Sequence, residues 1–177
     1  LYAETLELAR VPNEERKSEY YRVIGKESRR LTQLINNILD FSRIEAGRKE
    51  YRLVPSDLGA VVRDVVESYR FAIEKLGFTL TLELADELPP LALDPEALSQ
   101  ALINLLNNAI KYSPEHKAIT VSVRRELDRV LLSVSDRGMG IARSEHRRIF
   151  EKFYRVETSL VHTTKGSGLG LALVQHI

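Results

Sequence analysis

Cysteine is missing from this chain altogether, which excludes a disulfide scaffold and thiolate metal sites and points to a reducing, cytoplasmic compartment. No apolar run approaches the roughly 18 to 20 residues that cross a bilayer, and no signal-peptide pattern opens the sequence. An excess of one charge is missing too. Lys and Arg number 26 against 25 Asp and Glu, a formal net charge of +1, and the basic residues are scattered. That leaves no electrostatic footprint for nucleic acid or an anionic membrane surface. Internal repeats and low-complexity tracts are absent. The four histidines, His116, His146, His162 and His176, are dispersed without metal-ligand spacing, so they read as surface or helix-end residues.

What is present suits a globular protein: 177 residues, 44% hydrophobic and 29% charged, enough for one sizeable core and a smaller module. Residues 1–10 carry apolar positions that fit the tail of a helix, and Val11-Pro12 breaks it. Leu1 stands mid-pattern without a methionine, so the chain reads as a fragment, with any membrane segments lying outside it. Asn13 is a good N-cap for a second helix, Glu14 and Glu15 complement its dipole, and Gly47 is a natural stop. Along that helix Tyr20, Ile24, Leu31, Leu34, Ile35, Ile38, Leu39 and Phe41 form a broad apolar stripe. A ten-residue partner cannot bury it. The expectation is a helical hairpin over 1–47 that a second subunit doubles into a four-helix bundle, with packing on the following domain as the competing reading.

Residues 48–177 alternate strands and helices. The pattern predicts a short strand at 52–54 stopped by Pro55, and a helix from a Ser56 or Asp57 cap to Lys75, ended by Gly77. A half-buried strand follows at 78–84, then an extended piece at 91–93 and a helix capped by Asp94 with Pro95 in its first turn. A hairpin of strands 118–126 and 129–135, a helix near 143–151 and another from Leu169 complete the set. The fold class expected is α+β: a two-layer α/β sandwich, its mixed sheet covered by helices on one face.

Three segments carry chemistry. Asn104 and Asn108 share a helical face, with Lys111 one turn beyond Asn108. Asparagine is a mediocre helix former, so this density asks for a role. Mg²⁺ takes oxygen ligands and shares substrate phosphates, which suits the Asn108 amide; Lys111 would meet phosphate and Tyr112 the base or ribose. A polar, capped helix end is the bland alternative. Asp136 precedes Gly138-x-Gly140, where a carboxylate could pair with an exocyclic adenine amine on a pocket floor. A dinucleotide fingerprint fails there, because Arg143 replaces the small third residue and no βαβ unit follows. Gly166-x-Gly168-x-Gly170 opens an apolar helix at Leu169, offering backbone N–H groups to phosphates beside Lys165. It is not a P-loop, and protein-kinase signatures are absent. Residues 154–165, rich in Thr, Ser and charge, could fold over a nucleotide as a lid or be an ordinary surface loop.

Together these segments resemble the ATP-binding catalytic domain of bacterial sensor histidine kinases, within the group that includes the Hsp90, gyrase and MutL ATPases. NLLNNAIKYS (104–113) looks like the N box, DRGMG (136–140) the G1 box, FEKFYR (150–155) the F box and GSGLGL (166–171) the G2 box. LTQLINNILDFSRIEAG (31–47) is similar to the end of the second helix of the dimerisation and phosphotransfer hairpin. The resemblance implies ATP and Mg²⁺ as ligands, with Asn108 on the metal, assisted by Asn104. It implies Lys111, Tyr112 and Asp136 on the nucleotide, Gly138, Gly140, Gly166, Gly168 and Gly170 shaping the pocket with Leu169 and Lys165, and Arg155 near the lid. It further implies a homodimer through the hairpin and transfer of the γ-phosphoryl to a histidine, then to an aspartate of a response-regulator receiver domain. No nucleic acid is expected, and a membrane only through segments outside this chain.

Two departures from the pattern stand out. The phosphoacceptor histidine box belongs upstream of Leu1, and the closing strand hairpin belongs beyond Ile177. Two rival classes make different demands on the sequence. A conformational clamp of the Hsp90 or MutL type needs a glutamate in the asparagine helix, where Gln100 and Ala101 stand instead. A non-catalytic dimerisation module would not need the intact glycines, asparagines and Asp136.

Overall fold

A computed structural model describes residues 2–8, 11, 13–156 and 167–177, and divides the chain into two compact units, Leu1–Lys49 and Glu50–Ile177. The first holds α1 (Tyr2–Glu7) and α2 (Glu14–Glu45). Asn13 caps α2, its side chain accepting from the Arg16 N–H at 2.9 Å. At the other end Gly47, with φ +62, takes the left-handed turn that glycine tolerates best. The Gly47 N–H donates to Ile44 O and the Arg48 N–H to Arg43 O, satisfying carbonyls that the helix end would orphan. Tyr2 meets Tyr20 edge-on at 4.8 Å between centroids. Leu31, Ile35, Ile38 and Leu39 on α2 are each more than half exposed. No helix among the described residues is long and apolar enough to cross a membrane.

The second unit runs β1 (Val54–Ser56), α3 (Leu58–Lys75), β2 (Thr79–Leu84), β3 (Leu91–Leu93), α4 (Pro95–Tyr112), β4 (His116–Glu126), β5 (Arg129–Arg137) and α5 (Gly170–His176). β2, β4 and β5 form one sheet in that order, β2 parallel to β4 and β4 antiparallel to β5, so the sheet is mixed as expected. β1 and β3 pair separately and antiparallel. Ile119, Val121 and Val123 alternate along β4 and are almost wholly buried. Against them pack Val62, Val66 and Ile73 of α3 and Leu102 and Leu106 of α4, the inward stripes of two amphipathic helices. Each fully buried aliphatic side chain contributes about 1.5–3 kcal/mol. Both helices begin on aspartate caps: Asp57 accepts from the Ala60 N–H, and Asp94 Oδ1 accepts from the N–H groups of Glu96 and Ala97, each at 3.0 Å.

Three local expectations differ from what is observed. Pro55 lies inside β1, opposite Ala92, rather than stopping it. A two-stranded ladder leaves one edge of each strand open, so the N–H that proline lacks is not needed there. The helix expected near 143–151 is two 3₁₀ turns, Arg143–Glu145 and Arg148–Phe150. Neither turn has a side-chain cap, and the His146 ring bonds to the Ile141 carbonyl, a local pairing that competes with helix propagation. β5 runs to Arg137, so Asp136 sits within the strand, paired with Ile119.

Candidate functional site

α4 carries three asparagines, and the structure gives each a different environment. Asn107 shares a hydrogen bond with the Tyr69 hydroxyl of α3 and ties the two helices together; burial pushes the Tyr69 phenol above its ordinary range. Asn104 is buried at 6% exposure, and a Cβ on Gly170 would lie 3.3 Å from its Oδ1, so it packs on the backbone that opens α5. Asn108, half-buried, makes no side-chain hydrogen bond to a described residue. One turn on, Lys111 Nζ donates to Tyr112 Oη at 2.8 Å and stands 4.6 Å from the ring centroid.

The end of α4 then meets the end of β5. Ser113, the residue after α4, is fully buried, and its hydroxyl donates to Asp136 Oδ1 at 3.1 Å. The Gly138 N–H donates to the same oxygen at 2.7 Å, and the Met139 N–H donates to Tyr112 O at 3.1 Å. A Cβ at position 138 would lie 2.5 Å from Tyr112 O, 2.6 Å from Asp136 Oδ1 and 2.8 Å from Ser113 Oγ. Only glycine fits. Asp136 itself is exposed, so the pocket-floor expectation becomes a carboxylate held from one side and open on the other.

A third joint lies at Gly168. Its φ is +71, and a Cβ there would come within 2.7 Å of the Phe153 Cα and carbonyl carbon. The Phe153 N–H donates to Gly168 O at 3.1 Å, so FEKFYR and the glycine segment meet backbone to backbone. Phe153 itself has a positive φ of 61, uncommon without glycine. Next to it Tyr154 donates to Glu145 while the Arg148 guanidinium lies 4.2 Å over its ring, and the Glu145 bond raises the Tyr154 phenol above its ordinary range. The Ser167 hydroxyl accepts from the Leu169 N–H at 3.3 Å at the mouth of α5.

Comparison with known proteins fits this geometry. Residues 93–177 match the model of the histidine kinase-, DNA gyrase B- and HSP90-like ATPase family, and residues 1–47 that of the His Kinase A (phospho-acceptor) domain. Over 168 residues the chain is 36% identical to the circadian input-output histidine kinase CikA of Synechococcus elongatus, covering 94% of this chain and 22% of that protein. It is 37% identical over 166 residues to the alginate biosynthesis sensor protein KinB of Pseudomonas aeruginosa, covering 94% and 27%. Among solved structures, full-length ShkA in complex with AMPPNP superposes with a TM-score of 0.73 at 30% identity, over 91% of this chain and 33% of that one. Histidine kinase AdeS of Acinetobacter baumannii shares the fold at a TM-score of 0.71 and 22% identity, over 98% and 77%.

The chain belongs to the histidine kinase family.

The histidine kinase segment spans roughly a quarter or less of the first curated relatives it matches. Within it, the residues singled out from sequence meet at joints: Asn104 with Gly170, and Tyr112 with the turn that holds Asp136 and Gly138. Gly140 has φ +71 with nothing within 4 Å of a Cβ, and Arg155 is half-buried. Lys165, Gly166 and most of the 154–165 lid segment lie outside the described residues. Sequence reasoning assigned no role to Ser113, to the Asn107 pairing or to the Phe153 backbone. A buried serine directly after a polar helix end was visible as a letter, but its partner lies 23 residues away.

Proposed function

We propose that this histidine kinase segment binds ATP and serves transfer of its γ-phosphoryl to a histidine, from which an aspartate of a response-regulator receiver domain takes it. The observation that carries this reading is the tethering of the Asp136 turn to the end of the asparagine helix. The exposed Asp136 carboxylate is held by Ser113 and Gly138 next to the Tyr112 carbonyl, Asn108 and Lys111 stand on the same helix as Tyr112, and Gly170 closes on Asn104. The Asp136 carboxylate accepts from the exocyclic amine of adenine. Lys111, its ammonium steered by the Tyr112 hydroxyl, lies against the phosphates, and the N–H groups opening α5 add donors.

Among the described residues no cluster of His, Asp or Glu could hold a metal on its own. The Asn108 amide, without a hydrogen-bond partner among the described residues, fits a Mg²⁺ that arrives with the nucleotide, since that ion keeps waters and shares phosphate oxygens. Mg²⁺ there supplies charge neutralisation at the phosphates. In the transfer the bond between the γ-phosphorus and its bridging oxygen breaks, a bond from phosphorus to an imidazole nitrogen forms, and ADP leaves. The chain's own residues contribute positioning and charge rather than covalent chemistry. The exposed apolar stripe Leu31, Ile35, Ile38 and Leu39 supports a homodimer through the helical unit. Calorimetric titration with ATP and Mg²⁺ tests the reading. Asn108→Ala and Asp136→Asn are each expected to weaken binding by at least about tenfold, the loss of one charge-assisted contact. Unchanged affinity in both variants refutes it.

A further inference from the structure

The arrangement around Asp136 carries a consequence for base selection, resting on the adenine-nucleotide reading above. Oδ1 accepts from the Ser113 hydroxyl at 3.1 Å and from the Gly138 N–H at 2.7 Å, and Oδ2 accepts no hydrogen bond from a described residue. Ser113 is fully buried whereas Asp136 is exposed. The turn that carries the carboxylate is held a second time, by the Met139 N–H on Tyr112 O, and position 138 has no room for a side chain. One oxygen is thus claimed by two donors from one side, and the other is presented outward.

We propose that Ser113 is a positioning residue for purine specificity: its hydroxyl fixes the rotation of the Asp136 carboxylate so that Oδ2 accepts from an amine at purine C6. A carboxylate only accepts, so a 6-amino group satisfies it, while a 6-oxo group sets acceptor against acceptor. The Gly138 N–H alone leaves the carboxylate plane free to swing about its last bond over every angle that keeps that one contact. The serine hydroxyl, locked in the interior at the end of α4, is a second donor to the same oxygen from another direction and narrows that swing.

The test is calorimetric titration of this chain with ATP and with inosine 5′-triphosphate, which differ at C6. The unaltered chain is expected to prefer ATP. Ser113→Ala is expected to shrink that preference by about tenfold, leaving inosine triphosphate affinity within about twofold of the parent, the size of one hydrogen bond to a charged group. Placed on Asp136→Asn, Ser113→Ala should change the preference no further. Ser113→Cys, near in size and a weak donor, should fall between, and carries the same criterion if the alanine variant does not fold. A merely structural serine would weaken both triphosphates by the same factor, and that result, or no change in either, overturns the proposal. Equal binding of the two triphosphates by the unaltered chain overturns the adenine reading itself.

Discussion

Gly168 and Gly140 form a matched pair that separates two costs. Both have φ +71, so alanine at either position meets the same left-handed penalty, about 1–2 kcal/mol. They differ in surroundings. A Cβ at 140 finds nothing within 4 Å, whereas at 168 it meets the Phe153 Cα and carbonyl carbon at 2.7 Å, backbone atoms that cannot swing aside. Relieving that overlap means parting the two segments, which breaks the Phe153 N–H to Gly168 O bond and removes roughly another 1 kcal/mol before any loss of packing. Gly168→Ala therefore costs about 2–3 kcal/mol before packing is lost, roughly thirtyfold to 150-fold in ATP affinity, against about fivefold to thirtyfold for Gly140→Ala. The core of α3, α4 and the sheet lies elsewhere, so the loss should appear in binding rather than in melting. Calorimetric titration and thermal unfolding of both variants measure it. Equal affinity losses, or a larger loss at Gly140, would show that the overlap with Phe153 does not govern this joint.

Asp94 gives a second prediction. Its carboxylate caps α4 through Glu96 and Ala97 and also accepts from the Arg52 N–H at 2.9 Å, so Asp94→Ala should cost about 1–2 kcal/mol and lower Tm by roughly 2–8 °C. A Tm within about a degree of the parent would refute that. A third concerns alkaline pH. Burial raises the folded-state Tyr69 phenol above its ordinary value, so the neutral form is the one the fold favours. The stability it contributes is complete below the unfolded value near 10 and is lost as pH rises through the higher folded value. Tyr69→Phe should therefore lose less stability than the parent between about pH 9 and 11.5 in denaturant melts, and parallel curves would sink the argument.

Much of the fold was legible because the signals are local. Asn13, Asp57 and Asp94 announce helix starts by what an oxygen can reach two or three residues on, and each caps as expected. Alternation in 119–123 identifies a strand with one buried face. The misread segments lack such a signal or are governed by pairing. Pro55 reads as a stop until the two-stranded ladder shows an edge where no N–H is needed, and 143–151 has helical composition without a cap. For the candidate site, sequence supplied the chemical types but not the division of labour. Nothing in the spacing of 104, 107 and 108 tells which amide turns to Tyr69, which packs on Gly170 and which stays open. The Ser113 contact joins residues 23 apart through one hydroxyl, a distance at which periodicity says nothing.

The parallel pairing of β2 with β4 has a mechanical consequence. Parallel neighbours need a crossover, and the crossover here includes α4 itself. The asparagine helix runs from β3, in the two-stranded ladder, into β4, the central strand of the three-stranded sheet, so each of its ends is continuous with a paired strand. Ligand entry or departure therefore meets an asparagine helix built in line with paired strands, an anvil rather than a hinge.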